Sequence, residues 1–252
     1  MLEHFKGEEV FVKKVLDYLD QVQYKQRLIL TQFLDPYHQS IVKSVIGHQD
    51  EVQVLENGGF IHSESQRIII APYFYEIEKE DFEIVVCKII YAKNFEKLTH
   101  RDILGALMSL GIKRELFGDI VEKDKGFYLA VDRHIYEYLK DHLSMIKRSK
   151  VKFVEWDEEI EVKNDYLVKS FIVSSFRLDK IISSFYKISR QKAAEFIRAG
   201  HVKVNHKPVE QINYLCNNKD IISFKKHGRV MFVDCNKQTR SDNYVVEGYF
   251  YK

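Results

Sequence analysis

The chain has 252 residues, of which 45% are hydrophobic, 30% charged and 13% aromatic, with only 11 Gly and 3 Pro, a composition that excludes collagenous and long disordered chains and leaves room for one large or two to three small domains. The formal net charge of +2 conceals a division: residues 177–252 carry 15 Lys and Arg against 7 Asp and Glu, a net +8, while the residues before them carry 24 against 30, a net −6. Such asymmetry points the basic part towards a polyanion.

Apolar residues at helical spacing between 8 and 34, among them Val12, Val15, Leu16, Leu19 and Val22, predict one long amphipathic helix. Asp35-Pro36 supplies an N-cap and a first-turn proline for a second helix over 37–46, which Gly47 stops. Strands are expected over 53–55 and 67–70, separated by the turn-rich Glu56-Asn57-Gly58-Gly59. These elements form an N-terminal α+β unit, 1–78. A second unit, 79–160, reads strand 83–91, helix 99–110, strands 118–122 and 126–131, helix 133–144 and strand 151–156. The order β-α-β-β-α-β is ferredoxin-like, a scaffold common among RNA-binding modules without being diagnostic of them. Lys125-Gly126-Phe127 matches the opening of the RNA-recognition-motif signature, but Tyr128 and Leu129 break it. An acidic run, 157–161, leads into a segment to 175 that reads as a linker or bridging strand.

The third part, 176–252, opens with Arg177-Leu178-Asp179 and a helix whose Leu178, Ile181, Ile182 and Phe185 share a face. Ser189 caps a second helix that Gly200 stops; Ala193, Phe196, Ile197 and Gly200 line its core face, and Arg190, Ala194 and Arg198 form a stripe beside it. The free N–H groups and positive dipole end of that helix, with Arg190 and Lys192, make a natural phosphate site. A strand Val202-Lys203-Val204, the turn Asn205-His206-Lys207-Pro208, a strand over 220–224 and the basic Lys225-Lys226-His227-Gly228-Arg229 follow, with further strand expected towards the C-terminus.

The run R-L-D, then S-R-Q-x-A-x-x-x-I-x-x-G-x-V-x-V-N, resembles the RNA-binding domain first seen in small-subunit ribosomal protein four, the S-four or αL-type domain, over about 176–228. His206 stands where that family usually has Gly after Asn, and Lys219 where Gly usually precedes Asp. Upstream, Phe33-Leu34-Asp35-Pro36, the run His100-Arg101-Asp102-Ile103-Leu104-Gly105-Ala106, Gly111-Ile112-Lys113-Arg114 and Gly118-Asp119-Ile120 resemble the YlmH family of bacterial S-four-domain proteins, so the resemblance spans essentially the whole chain. It implies a non-enzymatic, ribosome-associated RNA-binding protein encoded among cell-division genes, with rRNA, tRNA and the large subunit as partners. Related small S-four proteins hold peptidyl-tRNA on obstructed large subunits during ribosome-associated quality control. The implied RNA contacts are Arg177, Lys180, Ser189, Arg190, Lys192, Arg198, Lys203, Asn205, His206, Lys207, Lys225, Lys226 and Arg229. Asp179, paired with Arg177, and Gly200 are expected to be structural. Exchanging Arg190 and Arg198 for Glu is expected to abolish ribosome binding while sparing the fold.

His100-Arg101-Asp102 imitates a kinase catalytic loop, yet Leu107 occupies the place of the required Asn and no glycine-rich phosphate loop precedes it. Thr99 with Asp102 instead reads as a helix-capping pair, and Arg101, Lys113 and Arg114 as a candidate second RNA surface. Cys87, Cys216 and Cys235 never form a C-x-x-C pair, and His201 and His206 lack an acidic or Cys companion; no metal, cofactor or small-molecule substrate is expected. The first residues lack the basic-then-apolar order of a signal peptide, and no apolar run approaches the ~18 residues of a membrane span, so a cytoplasmic protein without membrane contact is expected. Two alternatives stay open: an RNA-modifying enzyme or its accessory, and a division-linked adaptor whose acidic N-terminal units recruit a protein partner.

Overall fold

Val12, Val15, Leu19 and Val22 recur every three or four residues, and helix α1 (Glu9–Lys25) buries all four. The computed structural model describes residue 5 and residues 7–92, 96–163 and 165–251. The helix expected to run to 34 stops at Gln26, which takes a left-handed conformation at φ 52°. Beyond it, Ile29 and Leu30 form strand β1 (Ile29–Leu30) and pair with Ile70 and Ile69. The apolar spacing is compatible with either state, and the tertiary partner decides it. Helix α2 (Pro36–Ile46) is closed at its start by Asp35, whose carboxylate accepts the His38 N–H at 2.9 Å. Strands β2 (Val52–Asn57) and β3 (Arg67–Pro72) complete an antiparallel sheet of order β1-β3-β2. Ile68 and Ile70 of β3 pack against the buried faces of α1 and α2.

The next elements are β4 (Ile84–Tyr91), α3 (His100–Ser109), β5 (Phe117–Lys123), β6 (Gly126–Asp132), α4 (Arg133–His142), β7 (Met145–Ile146) and β8 (Ser149–Glu155). Their antiparallel sheet has the order β5-β6-β4-β8-β7, the ferredoxin-like order with β7 added at one edge by a tight hairpin. Ile89, Leu129 and Phe153 meet Ile103 and Leu107 of α3 and Leu139 of α4 in one core. On the opposite face Tyr128 and Ala130 are covered by Phe33, Phe60 and Ile160. Gly59, at φ +86°, brings its backbone onto this face: a Cβ there would stand 3.0–3.1 Å from Val86, Ala130 and Ile84.

A buried arginine ties the elements together. Arg67 Nε donates to the Thr31 carbonyl at 2.9 Å, and its Nη1 to Asp132 Oδ2 at 2.9 Å. The other Asp132 oxygen caps α4 by accepting the His134 N–H at 2.9 Å. The segments expected as separate units over 1–78 and 79–160 therefore share a core and a buried ion pair, and pack as one unit, Met1–Val162.

The second unit, Lys163–Lys252, holds β9 (Tyr166–Val173), α5 (Leu178–Tyr186), α6 (Arg190–Arg198), β10 (Val202–Val204), β11 (Lys207–Pro208), β12 (Ile221–Phe224), β13 (Gly228–Gln238) and β14 (Tyr244–Tyr251). Its sheet runs β11-β10-β12-β13-β14-β9. Most of the segment over 161–175, read as a linker or bridging strand, is strand: β9 pairs with β14 along its whole length, Tyr166 opposite Tyr251 through Val173 opposite Tyr244. Phe171 and Val173 enter the core with Leu178, Ile182, Phe232 and Val246, and that burial holds the strand in place.

Candidate nucleic-acid interface

Helix α5 begins at Leu178 and α6 at Arg190, so Asp179 and Arg190 both lie in a helix's first turn. The Asp179 side chain is 3% exposed and receives four charge-assisted bonds. Arg177 donates from Nε to Oδ1 at 3.0 Å and from Nη2 to Oδ2 at 3.2 Å; Arg190 donates to Oδ2 from Nε at 3.1 Å and from Nη2 at 2.7 Å. Burial pushes the Asp179 carboxyl upward, but the hydrogen bonds and charges of the two guanidiniums outweigh it and hold the group below the ordinary carboxylate range. Asp179 is thus tied to two arginines, where its sequence spacing suggested one. The Arg190 side chain remains 56% exposed, so the clamp fixes one edge of a planar donor and leaves the remainder to solvent.

Ser189 caps α6 by accepting the Lys192 N–H at 3.2 Å, which commits its hydroxyl to the helix. Lys192 and Arg198 are exposed on α6, whose Ala193 and Ile197 are buried. Gly200, expected on the core face, is exposed with open space where a Cβ would be; its φ of +68° makes it the left-handed stop of α6. Lys180 donates to Ser174 Oγ at 2.9 Å.

Lys203 and Lys207 project from the β10–β11 hairpin as exposed residues. Asn205, expected as a contact, has both ends of its amide engaged: Nδ2 donates to Asp220 at 2.7 Å and Oδ1 accepts the Ile221 N–H at 2.9 Å. Asp220, 6% exposed, also accepts the Asn217 N–H at 2.7 Å. Sequence reasoning passed over Asp220, although a carboxylate just ahead of a strand beside a turn is a recognisable cap signal. His206 and Lys219, which replace the family's glycines, adopt φ of 67° and 71°, the region glycine favours. Lys225 and Lys226 are exposed, and the Arg229 guanidinium stacks 4.5 Å from the Tyr251 ring.

The three cations expected as a second surface, Arg101, Lys113 and Arg114, are all exposed, but the Arg114 guanidinium is engaged: it donates to the carbonyls of Phe117 and Gly118 at 2.5 and 3.1 Å and lies 4.7 Å over the Phe117 ring. Arg114 therefore braces the entry to β5. Asp102, in the motif that imitates a kinase loop, makes a capping box with Thr99 and an ion pair with Lys147 at 2.7 Å. Burial raises the Cys87 and Cys216 thiols to about 12, far from thiolate chemistry. Among the described residues no three His, Cys, Asp or Glu side chains gather as a metal site, and no helix is long and apolar enough to cross a membrane.

Three family models match: "YlmH, N-terminal" over residues 7–74, "Putative RNA-binding domain in YlmH" over 78–159 and "S4 domain" over 176–222. The chain is 33% identical to the ribosome-associated protein quality control protein P2 of Bacillus subtilis, across 97% of this chain and 96% of that protein. A solved structure of the cell division protein ylmH from Streptococcus pneumoniae superimposes with a TM-score of 0.52 at 29% identity, covering 60% of this chain and 92% of that one. With its three segments matched in order and a relative aligned nearly end to end, the chain belongs to the YlmH family of RNA-binding proteins, with an S4 domain at its C-terminal end.

Proposed function

We propose that the protein is a cytoplasmic, non-enzymatic RNA-binding factor that docks through α6 and the β10–β11 hairpin on structured rRNA and tRNA of the large ribosomal subunit, and retains peptidyl-tRNA on obstructed subunits. The observation that carries this reading is the Asp179 clamp, which orients Arg190 at the start of a helix whose exposed side also bears Lys192 and Arg198. A guanidinium fixed on one edge loses less conformational entropy when it grips a phosphate. The name of the Bacillus relative, a ribosome-associated quality control protein, supports the choice of the ribosome. Lys203 and Lys207 add cations from the adjoining hairpin.

The test is co-sedimentation of the full chain with large subunits across a salt series. Lys192→Glu, Arg198→Glu and Lys203→Glu, combined, are expected to abolish co-sedimentation without changing the thermal melt, because none of the three supports the core. In wild type, affinity should fall steeply with salt, by about 0.7–0.9 in log–log slope per phosphate neutralised. A triple variant that sediments like wild type would sink the proposal. The peptidyl-tRNA part requires tighter binding to obstructed subunits than to empty ones.

A further inference from the structure

Residues directly opposite in an antiparallel pair share a face of the sheet. In the ferredoxin-like sheet Lys88 stands opposite Val154, Ile90 opposite Lys152 and Met145 opposite Lys150. These six lie on the face away from α3 and α4, since the alternating residues Cys87, Ile89, Val151 and Phe153 enter the helix-side core. Lys150 and Lys152 are exposed, and Ile90, Val154 and Met145 are 44%, 50% and 44% exposed. None of the six positions is acidic, within a part of the chain that carries a net −6.

The rest of this face is closed. Tyr128 of the neighbouring strand β6 lies under Phe60 and Phe33, and Phe127 is buried on the helix side. Lys88 marks the boundary, its ammonium 4.5 Å from the Trp156 ring and 5.4 Å from that of Tyr128. Strand β6 is thus sealed, and the open ground lies towards the β4-β8-β7 edge. Lys147, in the turn at this edge, is spent on Asp102 and adds nothing.

We infer that the outer face of β4, β8 and β7, centred on Lys150, Lys152, Ile90 and Val154, is a second RNA-binding surface that takes a single strand. The matched family description names RNA binding for this segment but no surface. A protein partner is disfavoured by the arrangement, because protein–protein interface centres are depleted of charge, and of Lys in particular, whereas here each of Val154, Ile90 and Met145 stands directly opposite a lysine. Lys150 and Lys152, two residues apart on a strand, stand about 6.7 Å apart along it; phosphates neutralise them while Ile90, Val154 and Met145 meet base and sugar faces.

The inference rests on the RNA-binding reading above, and the experiment separates the two. The full chain carrying Lys150→Glu and Lys152→Glu is titrated with large subunits across the same salt series, beside the triple variant of the S4 domain. The expected result is a roughly tenfold loss of affinity and a salt slope lower by about 1–2, with an unchanged thermal melt. A photoreactive residue at Val154 should crosslink to RNA on the particle. Wild-type affinity and slope, or crosslinks to protein alone, overturn this surface even if the S4 variant has lost binding. If instead the S4 variant keeps full binding, the docking proposal fails and this surface is judged on its own slope and crosslinks.

Discussion

Asp179 is the buried member of its cluster, with 3% of the side chain exposed against 34% and 56% for Arg177 and Arg190. The three groups are therefore not interchangeable as targets. Removing the carboxylate leaves two guanidiniums that can turn to water, at a cost of about 1–2 kcal/mol in lost hydrogen bonds. Removing both arginines leaves a buried, uncompensated charge, which costs about 3–5 kcal/mol. Urea unfolding should accordingly rank Arg177→Ala with Arg190→Ala as more destabilising than Asp179→Asn, and the reverse ranking would show that Asp179 is solvated in solution. Asp179→Asn should also weaken RNA binding with Arg190 still present, because the donor is no longer aimed. The same geometry corrects the expectation that Arg190→Glu spares the fold: it sets a second carboxylate against a buried one. In the sequence, the Arg177–Asp179 pairing was legible from its spacing, whereas Arg190, eleven residues on, comes to the same oxygen only because α5 and α6 pack together. Asn205 and Asp220, fifteen residues apart, were hidden for the same reason.

Helix starts were the most legible features because their signals are local. Asp35, Thr99 and Ser189 each accept an N–H of the first turn, as a capping residue should. Elements chosen by distant partners were less legible: β1 looked like the tail of α1, and β9, between an acidic run and a helix start, could be read as either linker or strand because its apolar Val168 and Ile172 lie on the exposed face while only Phe171 and Val173 enter the core. At α3 the cap makes a pH-dependent prediction. Hydrogen bonding to Lys147, then to Thr99, holds Asp102 down at about 2 against an ordinary value of 3.8. The folded chain keeps this carboxylate charged to lower pH than the unfolded chain does, so its stabilisation is complete above about pH 4 and is lost as pH falls through about 2. Thermal melts of wild type and Asp102→Asn should differ at pH 7 and converge between pH 4 and 2. An equal gap at both ends would assign the effect to side-chain shape rather than to charge. At Gly59, where the chain must close on the outer face of β4 and β6, both the positive φ and the 3.0 Å approach to Val86 oppose any Cβ, which is how the covered half of that face is sealed.

At the scale of the whole molecule, the near-neutral total separates into a net −6 before residue 177 and +8 from it onward, and the two compact units carry separate cores. Separate cores break two-state unfolding, so calorimetry should resolve two transitions, and Ile182→Ala, which cuts a cavity in the second core, should lower only one of them. That assignment makes the heat trace a reporter of which unit holds RNA. A ligand that binds only the native form of a unit stabilises that unit by RT ln(1 + [L]/Kd), about 2.7 kcal/mol at a hundredfold excess over Kd. If RNA grips the S4 domain alone, saturating RNA should raise only the transition that Ile182→Ala lowered. If the outer face of β4, β8 and β7 also holds a strand, both transitions should rise, and Lys150→Glu with Lys152→Glu should return the first unit's transition to its RNA-free temperature while the other stays raised. A first-unit transition that does not respond to RNA in wild type would confine recognition to the S4 domain and leave the acidic part of the chain, as its net charge suggests, facing away from the polyanion.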